Sequence, residues 1–166
     1  PYIECRRLYQ VDKIHSQYQA LAGVLGIEID DSEQMEQTIR TILQFRDAHP
    51  DLCFAIGEAM NGDPFELAYA LLRYGFKVSE IYSAPNKESY IYIDKISKIS
   101  PHTQVYSNME PTMLYYASHQ SADVAIGQDA CYYQQKAKQI PWNEDIQPFG
   151  YVGLQKLFAQ LKGVCG

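Results

Sequence analysis

The sequence has few cysteines and no paired ones. Its four cysteines are Cys5, Cys53, Cys131 and Cys165, which form no C-x-x-C pair and no Cys/His cluster with zinc spacing. The common structural zinc sites are therefore excluded. A chain of 166 residues buries about 70% of its unfolded surface, so it can hold a core without crosslinks. We therefore predict reduced thiols and a cytoplasmic protein.

Long apolar runs, an excess of basic charge and nucleotide-binding motifs are also missing. No run approaches the ~20 apolar residues that cross a bilayer, and no signal peptide is visible. The formal charge is −6, whereas a protein that binds nucleic acid needs an excess of basic residues, which neutralise phosphates and release their counterions. Neither a G-x-G-x-x-G fingerprint nor a Walker A loop occurs. We therefore predict no membrane and no nucleic acid among the partners.

Tyrosine is the residue in excess, with 14 copies. Its side chain combines apolar area with a polar tip, which suits a protein that covers part of its surface with partners. The chain passes directly from Pro1 into sequence that looks structured. We interpret it as a piece of a longer protein.

Short apolar runs alternate with helical repeats after residue 50, which predicts parallel strands joined by right-handed crossovers. We predict that residues 1–50 form an N-terminal helical lead-in of two helices. Residues 51–166 are predicted to form the sheet core of the same single domain. The predicted strands are 52–56, 77–82, 104–106, 123–126 and a short strand or extended piece at 140–142. The predicted helices of the core are 65–74, 88–99, 111–119, 129–138 and 154–161. The expected fold is a three-layer, doubly wound α/β sheet of about four parallel strands, with helices on both faces.

Three loops, at 57–63, 107–110 and 127–129, form the candidate binding site. In a doubly wound sheet, ligands bind beyond the carboxyl ends of the strands, where the strand order reverses. Glycines and polar side chains occupy the loops predicted there, and the expected cofactor-facing residues are Gly57, Glu58, Asn61, Gly62, Gly127, Gln128 and Asp129. Helix N-termini would point their N–H groups into that crevice. The alternative interpretation is that the glycines only allow the chain to turn.

Cys131 is a candidate thiolate or cluster ligand. It falls in the first turn of a predicted helix, where the helix dipole lowers the pKa of a thiol. The alternative is a small buried side chain without a chemical role.

Several phrases, taken in order, resemble nitrogenase component 1 and its relatives, which include cofactor-assembly scaffolds and dark-operative protochlorophyllide reductase subunits. The resemblance spans essentially the whole chain and looks like the last α/β domain of such a subunit, a nitrogenase-like or flavodoxin-like fold. The phrases that carry it are Gly62-Asp63-Pro64, Leu71-Leu72-Arg73-Tyr74-Gly75, Asp123-Val124-Ala125-Ile126-Gly127, Ile140-Pro141 and Gly150-Tyr151-Val152-Gly153.

The resemblance implies an oxidoreductase parent with an iron–sulfur or related metallocluster. It implies a homologous partner subunit and electrons from an ATP-dependent iron–sulfur reductase. This chain would form a wall of a metallocofactor or substrate cavity and a subunit interface, and it would bind no cofactor and show no activity alone.

Two departures separate the chain from molybdenum–iron catalytic subunits. Those subunits carry a histidine ligand shortly after Ile-Pro, whereas no histidine follows His119 here. The loop before Gly62 also lacks their arginine. The closer likeness is to partner or assembly-scaffold subunits. Two alternatives stay open, a cofactor-assembly scaffold without turnover and a small-molecule-binding α/β module without redox chemistry.

Overall fold

The computed structural model describes residues 3–58, 62–118, 120–143 and 148–166. Within these ranges the chain forms a sheet of five parallel strands in the order β3-β2-β1-β4-β5. The strands are β1 (Cys53–Gly57), β2 (Lys77–Tyr82), β3 (Gln104–Tyr106), β4 (Val124–Ile126) and β5 (Lys138–Ile140). The helices are α1 (Val11–Leu25), α2 (Ser32–Ala48), α3 (Pro64–Arg73), α4 (Ser89–Ile99), α5 (Gln128–Tyr133) and α6 (Gly150–Cys165), with a 3-10 turn at Pro111–Tyr115.

The two faces of the sheet are covered unequally, which gives three layers. The larger core packs α1, α2, α3, α4 and α6 against side chains such as Phe54, Ile56 and Ile81. The smaller core lies on the opposite face, where α5 and the 3-10 turn cover Ala55 and Tyr82. The predicted α/β class with parallel strands and helices on both faces is confirmed, and the sheet extends to five strands because β5 pairs fully with β4.

The N-terminus of α3 forms where the sequence predicts it, at Asp63 and Pro64. The Asp63 carboxylate accepts a hydrogen bond from the Phe65 N–H at 2.8 Å, and Pro64 takes the first helical position. Proline is tolerated there because its missing N–H has no helical partner. The helix therefore begins directly beyond the carboxyl end of β1.

Two predicted helices are shorter than their sequence pattern indicated. The helix predicted at 129–138 ends at Tyr133, because the Lys138 N–H bonds to the Asp123 carbonyl and residues 138–140 join the sheet. The helix predicted at 111–119 is a 3-10 turn that ends at Tyr115. Residue Tyr116 is extended, and its hydroxyl bonds to a buried carboxylate on β2. His119 lies outside the described residues.

Candidate functional site

The reversal of strand order falls between β1 and β4, and backbone packing closes it. A Cβ on Gly57 would lie 2.4 Å from the Ala130 nitrogen. A Cβ on Gly127, which has a φ of +93°, would lie 2.7 Å from the Glu58 carbonyl oxygen. These glycines let α5 and the two strand ends touch. The predicted crevice at this point is therefore filled by the chain itself.

An open cleft lies one strand further, beyond the carboxyl ends of β1 and β2. Its volume is about 520 Å³. The N-terminal segment covers one side, where Arg7 forms a parallel bridge with Gly62. The described residues that line the cleft are Glu4, Cys5, Arg6, Arg7, Leu8, Glu58, Gly62, Asp63, Pro64, Glu66, Ser83, Ala84, Asn86, Glu88, Ser89 and Tyr92.

The structure separates the predicted site residues into two groups. Glu58 and Gly62 line the cleft, and the Ser83 hydroxyl donates to the Glu58 carboxylate at 3.4 Å. Gly57 and Gly127 instead form the closed contact between the strand ends. The binding role assigned to these two residues stays a prediction, as it does for Glu58 and Gly62.

The remaining predicted residues lie on or near α5. Gln128 is exposed, and the Asp129 carboxylate accepts a hydrogen bond from the Asn108 amide at 3.3 Å. Neither residue lines the cleft. Asn61 lies outside the described residues. The loop at 107–110 thus reaches α5 through Asn108 and leaves the cleft to the loops after β1 and β2.

Charged side chains on the N-terminal segment join opposite sides of the cleft. Arg6 forms an ion pair with Glu88 at the start of α4 and a second one with Glu4 at 3.2 Å. These side chains are about half exposed, so the pairs hold geometry more than they add stability. The cleft rim therefore presents carboxylates and guanidinium groups suited to hydrogen bonding with a polar molecule.

Side chains that precede the two helices at the cleft bond to N–H groups near the helix N-termini. Asp63 caps α3, as described above. The Asn86 amide oxygen accepts hydrogen bonds from the Glu88 and Ser89 N–H groups at 2.8 and 3.0 Å. These bonds occupy one N–H group in the first turn of each helix and leave fewer donors there for an anionic group.

Glu66 is the cleft residue that the sequence interpretation missed. It is 1% exposed, and its carboxylate accepts hydrogen bonds from the Tyr9 N–H at 2.8 Å and the Gln10 N–H at 3.1 Å. Burial raises its pKa to about 7, although these bonds oppose the rise. A carboxylate inside the apolar run 65–72 was the available signal. Glu66 ties the N-terminal segment to α3.

We expect Glu66→Gln to change how stability depends on pH. The folded pKa of about 7 lies above the ordinary 4.5, so the folded state holds a proton that the unfolded state releases between these values. The stability from this group is complete below pH 4.5 and is lost as the pH rises through 7. The difference between the folded and unfolded pKa values of Glu66 corresponds to roughly 3 kcal/mol of unfolding free energy, at about 1.4 kcal/mol per factor of ten.

Urea unfolding of both proteins measures the effect. The difference in unfolding free energy, wild type minus variant, should fall between pH 4.5 and pH 7. Glu36→Gln, an exposed change on α2, is the control and should show no such trend. A constant difference for Glu66→Gln across this range would contradict the assignment.

Cys131 lacks the environment of a reactive thiolate. Burial raises its pKa, contrary to the lowering predicted from its place in a helix, and its thiol contacts the Ala125 carbonyl oxygen at 3.6 Å. Among the residues that the structure describes, no three His, Cys, Asp or Glu side chains are grouped to hold a metal ion. The described part of the chain therefore does not fit a metallocluster on its own.

Comparison with known proteins gives a likeness in structure alone. No protein-family model matches the chain, and no curated protein matches its sequence. The solved structure of nitrogenase Cp1 at pH 6.5 is similar, with a TM-score of 0.74 and 16% sequence identity. The alignment covers 97% of this chain and 39% of that chain. The fold of this chain is therefore nitrogenase-like, which confirms the resemblance at the level of the fold.

None of the helices in the described ranges is long and apolar enough to cross a membrane.

Proposed function

We propose that this chain is a domain of a nitrogenase component 1-like oxidoreductase. In that protein it forms one wall of a metallocofactor or substrate cavity and part of a subunit interface. The observation that carries the proposal is the likeness to nitrogenase Cp1 over 97% of the chain. The solved chain is much longer, so the cavity, the partner subunit and the turnover belong to a larger assembly.

The cleft supports the cavity role. It lies beyond the carboxyl ends of parallel strands, where open α/β sheets commonly bind ligands. Its wall carries Glu58, Arg6 and Arg7 together with the buried Glu66. These side chains can orient a polar molecule by hydrogen bonds and ion pairs. Burial perturbs the pKa of Glu66, and such groups are frequent at functional sites.

The metallocluster would be held mainly by parts of the larger protein. The described residues of this chain offer no grouped set of metal ligands. We therefore assign them no ligand role and no chemical step at a cluster. An ATP-dependent iron–sulfur reductase is the proposed source of electrons, and a homologous subunit is the proposed partner.

Reconstitution of the full-length protein with its reductase under anaerobic conditions tests the proposal. We expect bound iron and acid-labile sulfide, together with turnover that depends on the reductase. Glu58→Gln should lower that turnover by about tenfold, because misplaced hydrogen-bonding groups weaken the orientation of a substrate. Glu33→Gln on α2, which is exposed and far along the chain from the cleft, is the matched control.

The outcomes separate the proposal from its alternatives. If Glu58→Gln kept wild-type turnover, the assignment of the Glu58 side of the cleft as a wall of the cavity would be wrong. Bound cluster without turnover would favour an assembly scaffold. A protein without iron whose melting temperature rises with a small polar ligand would favour a binding module. One observation favours the binding module. The cleft lies within this chain, and its described residues include no grouped set of metal ligands.

A further inference from the structure

The smaller face of the sheet carries a buried carboxylate among tyrosines. Glu80 on β2 is 0% exposed. Its carboxylate accepts hydrogen bonds from the hydroxyls of Tyr82, Tyr116 at 2.7 Å and Ser118 at 2.7 Å. The Gln134 amide donates to it at 2.6 Å. The Glu80 carboxylate is therefore the shared hydrogen-bond acceptor of these buried side chains, and it lies within direct proton-transfer distance of the Tyr82 hydroxyl.

A row of tyrosine rings leads from this carboxylate to the surface. Tyr82 is 0% exposed and stacks on Tyr133 with ring centroids 4.7 Å apart. Tyr133 contacts Tyr132 at 5.0 Å, and Tyr132 is 63% exposed. The rings are in direct contact along the whole row. Aromatic rings in contact exchange electrons readily, so the row joins the interior to solvent.

We propose that Tyr82 is a redox-active tyrosine that loses one electron through Tyr133 and Tyr132 while Glu80 takes its phenolic proton. The co-reactant is a one-electron oxidant of the peroxide-derived radical class that meets Tyr132 at the surface. The electron from Tyr82 reduces that oxidant by one electron. The Tyr82 O–H bond breaks, a neutral tyrosyl radical remains, and the Glu80 carboxylate becomes a carboxylic acid.

The return step restores the starting state. A soluble thiolate supplies one electron along the same row and becomes a thiyl radical. The proton then returns from the Glu80 carboxyl to the Tyr82 oxygen, so charge and atoms balance. The site would thus take up a damaging oxidising equivalent inside the fold and pass it to a thiol.

Glu80 selects Tyr82 over the exposed tyrosines. Burial and the bond to Glu80 raise the pKa of Tyr82, so the phenol does not ionise beforehand and must lose its proton together with the electron. A base within hydrogen-bond reach makes that loss easier. Tyr132 is exposed and has no such carboxylate among its described contacts. The radical therefore settles on Tyr82, where solvent does not reach it.

Flash oxidation with a ruthenium(III) tris-bipyridyl complex, followed by electron paramagnetic resonance, tests the proposal on the 166-residue chain. We expect a long-lived tyrosyl signal in the wild type and its loss in Tyr82→Phe, which removes one hydroxyl and keeps the ring. Tyr90→Phe, at an exposed tyrosine on α4, is the matched control and should retain the signal. An unchanged long-lived signal in Tyr82→Phe would overturn the proposal.

Two further variants test the proton acceptor and its neighbour. Glu80→Gln cannot take the proton, and we expect the yield of the long-lived radical to fall by at least about tenfold in the folded protein. Tyr116→Phe, which also loses a bond to Glu80, should keep the radical on Tyr82. A signal that disappears in Tyr116→Phe and survives in Tyr82→Phe would contradict the assignment. So would an undiminished yield in Glu80→Gln.

Discussion

Gly127→Ala is expected to destabilise the protein by about 2 to 6 kcal/mol, the sum of a strained positive-φ backbone for alanine and an overpacked contact. Gly127 has a φ of +93°, and a Cβ there would lie 2.7 Å from both the Glu58 carbonyl oxygen and the Gly57 carbonyl carbon. Both neighbours are backbone atoms at the end of β1, so no side chain can move aside. The free energy of unfolding, measured in urea, gives the effect directly.

Gly23→Ala is the matched control for this substitution. Gly23 lies within α1, and a Cβ built there meets nothing within 4 Å. Alanine should stabilise that helix by about 0.5 to 1 kcal/mol, because glycine loses more backbone freedom on folding. If Gly127→Ala were as stable as the wild type, the contact between the ends of β1 and β4 would not be as close as the structure places it.

Glu80→Ala is expected to cost about 3 to 5 kcal/mol of unfolding free energy, because it leaves a cavity and removes an acceptor that several buried donors share. The groups that lose this acceptor include the hydroxyls of Tyr116 and Ser118 and the amide of Gln134. Ser118 and Gln134 keep the Gln120 carbonyl oxygen as an acceptor. They lie on the segment after the 3-10 turn and at the end of α5. The substitution should therefore loosen the smaller layer first, which hydrogen exchange of these segments would show.

Glu36→Ala on α2 is the control for that loss of a carboxylate. Glu36 is exposed, and changes of this kind usually stay within about 0.5 kcal/mol. A cost of that small size for Glu80→Ala would show that water satisfies the donors. The buried network on the smaller face would then contribute little to stability.

Most of the fold was predictable because its signals are local. The Asp63 cap and Pro64 mark the start of α3 in any tertiary context, and Gly26 ends α1 in the left-handed conformation expected of a glycine stop. Alternating strands and helices then leave few topologies, since crossovers are right-handed. The predicted C-terminal ends of the helices at 129–138 and 111–119 were wrong. Strand pairing with β4 and hydrogen bonds to the buried Glu80 carboxylate outweigh helical periodicity there.

The candidate site was harder to predict because it depends on contacts between distant residues. Sequence reasoning chose the loops after the strands, and the structure divides them between a closed contact and a cleft. The division follows from the strand order, which brings Gly127 against the backbone of Gly57 and leaves Glu58 to line the cleft. Glu66 was missed because its partners Tyr9 and Gln10 lie 57 and 56 residues away.

The sequence by itself determined the parallel α/β class, the order of strands and helices, and the likeness to the nitrogenase fold. The class and the order along the chain rest on hydrophobic period and turn chemistry, which act between neighbouring residues, whereas the likeness rests on the resemblance of short motifs such as Gly62-Asp63-Pro64. Only the tertiary structure decided where the chain closes on itself and where it leaves a cleft. It alone placed Glu66 and Glu80 out of water, because the burial of a carboxylate depends on which distant donors the packed layers bring to it.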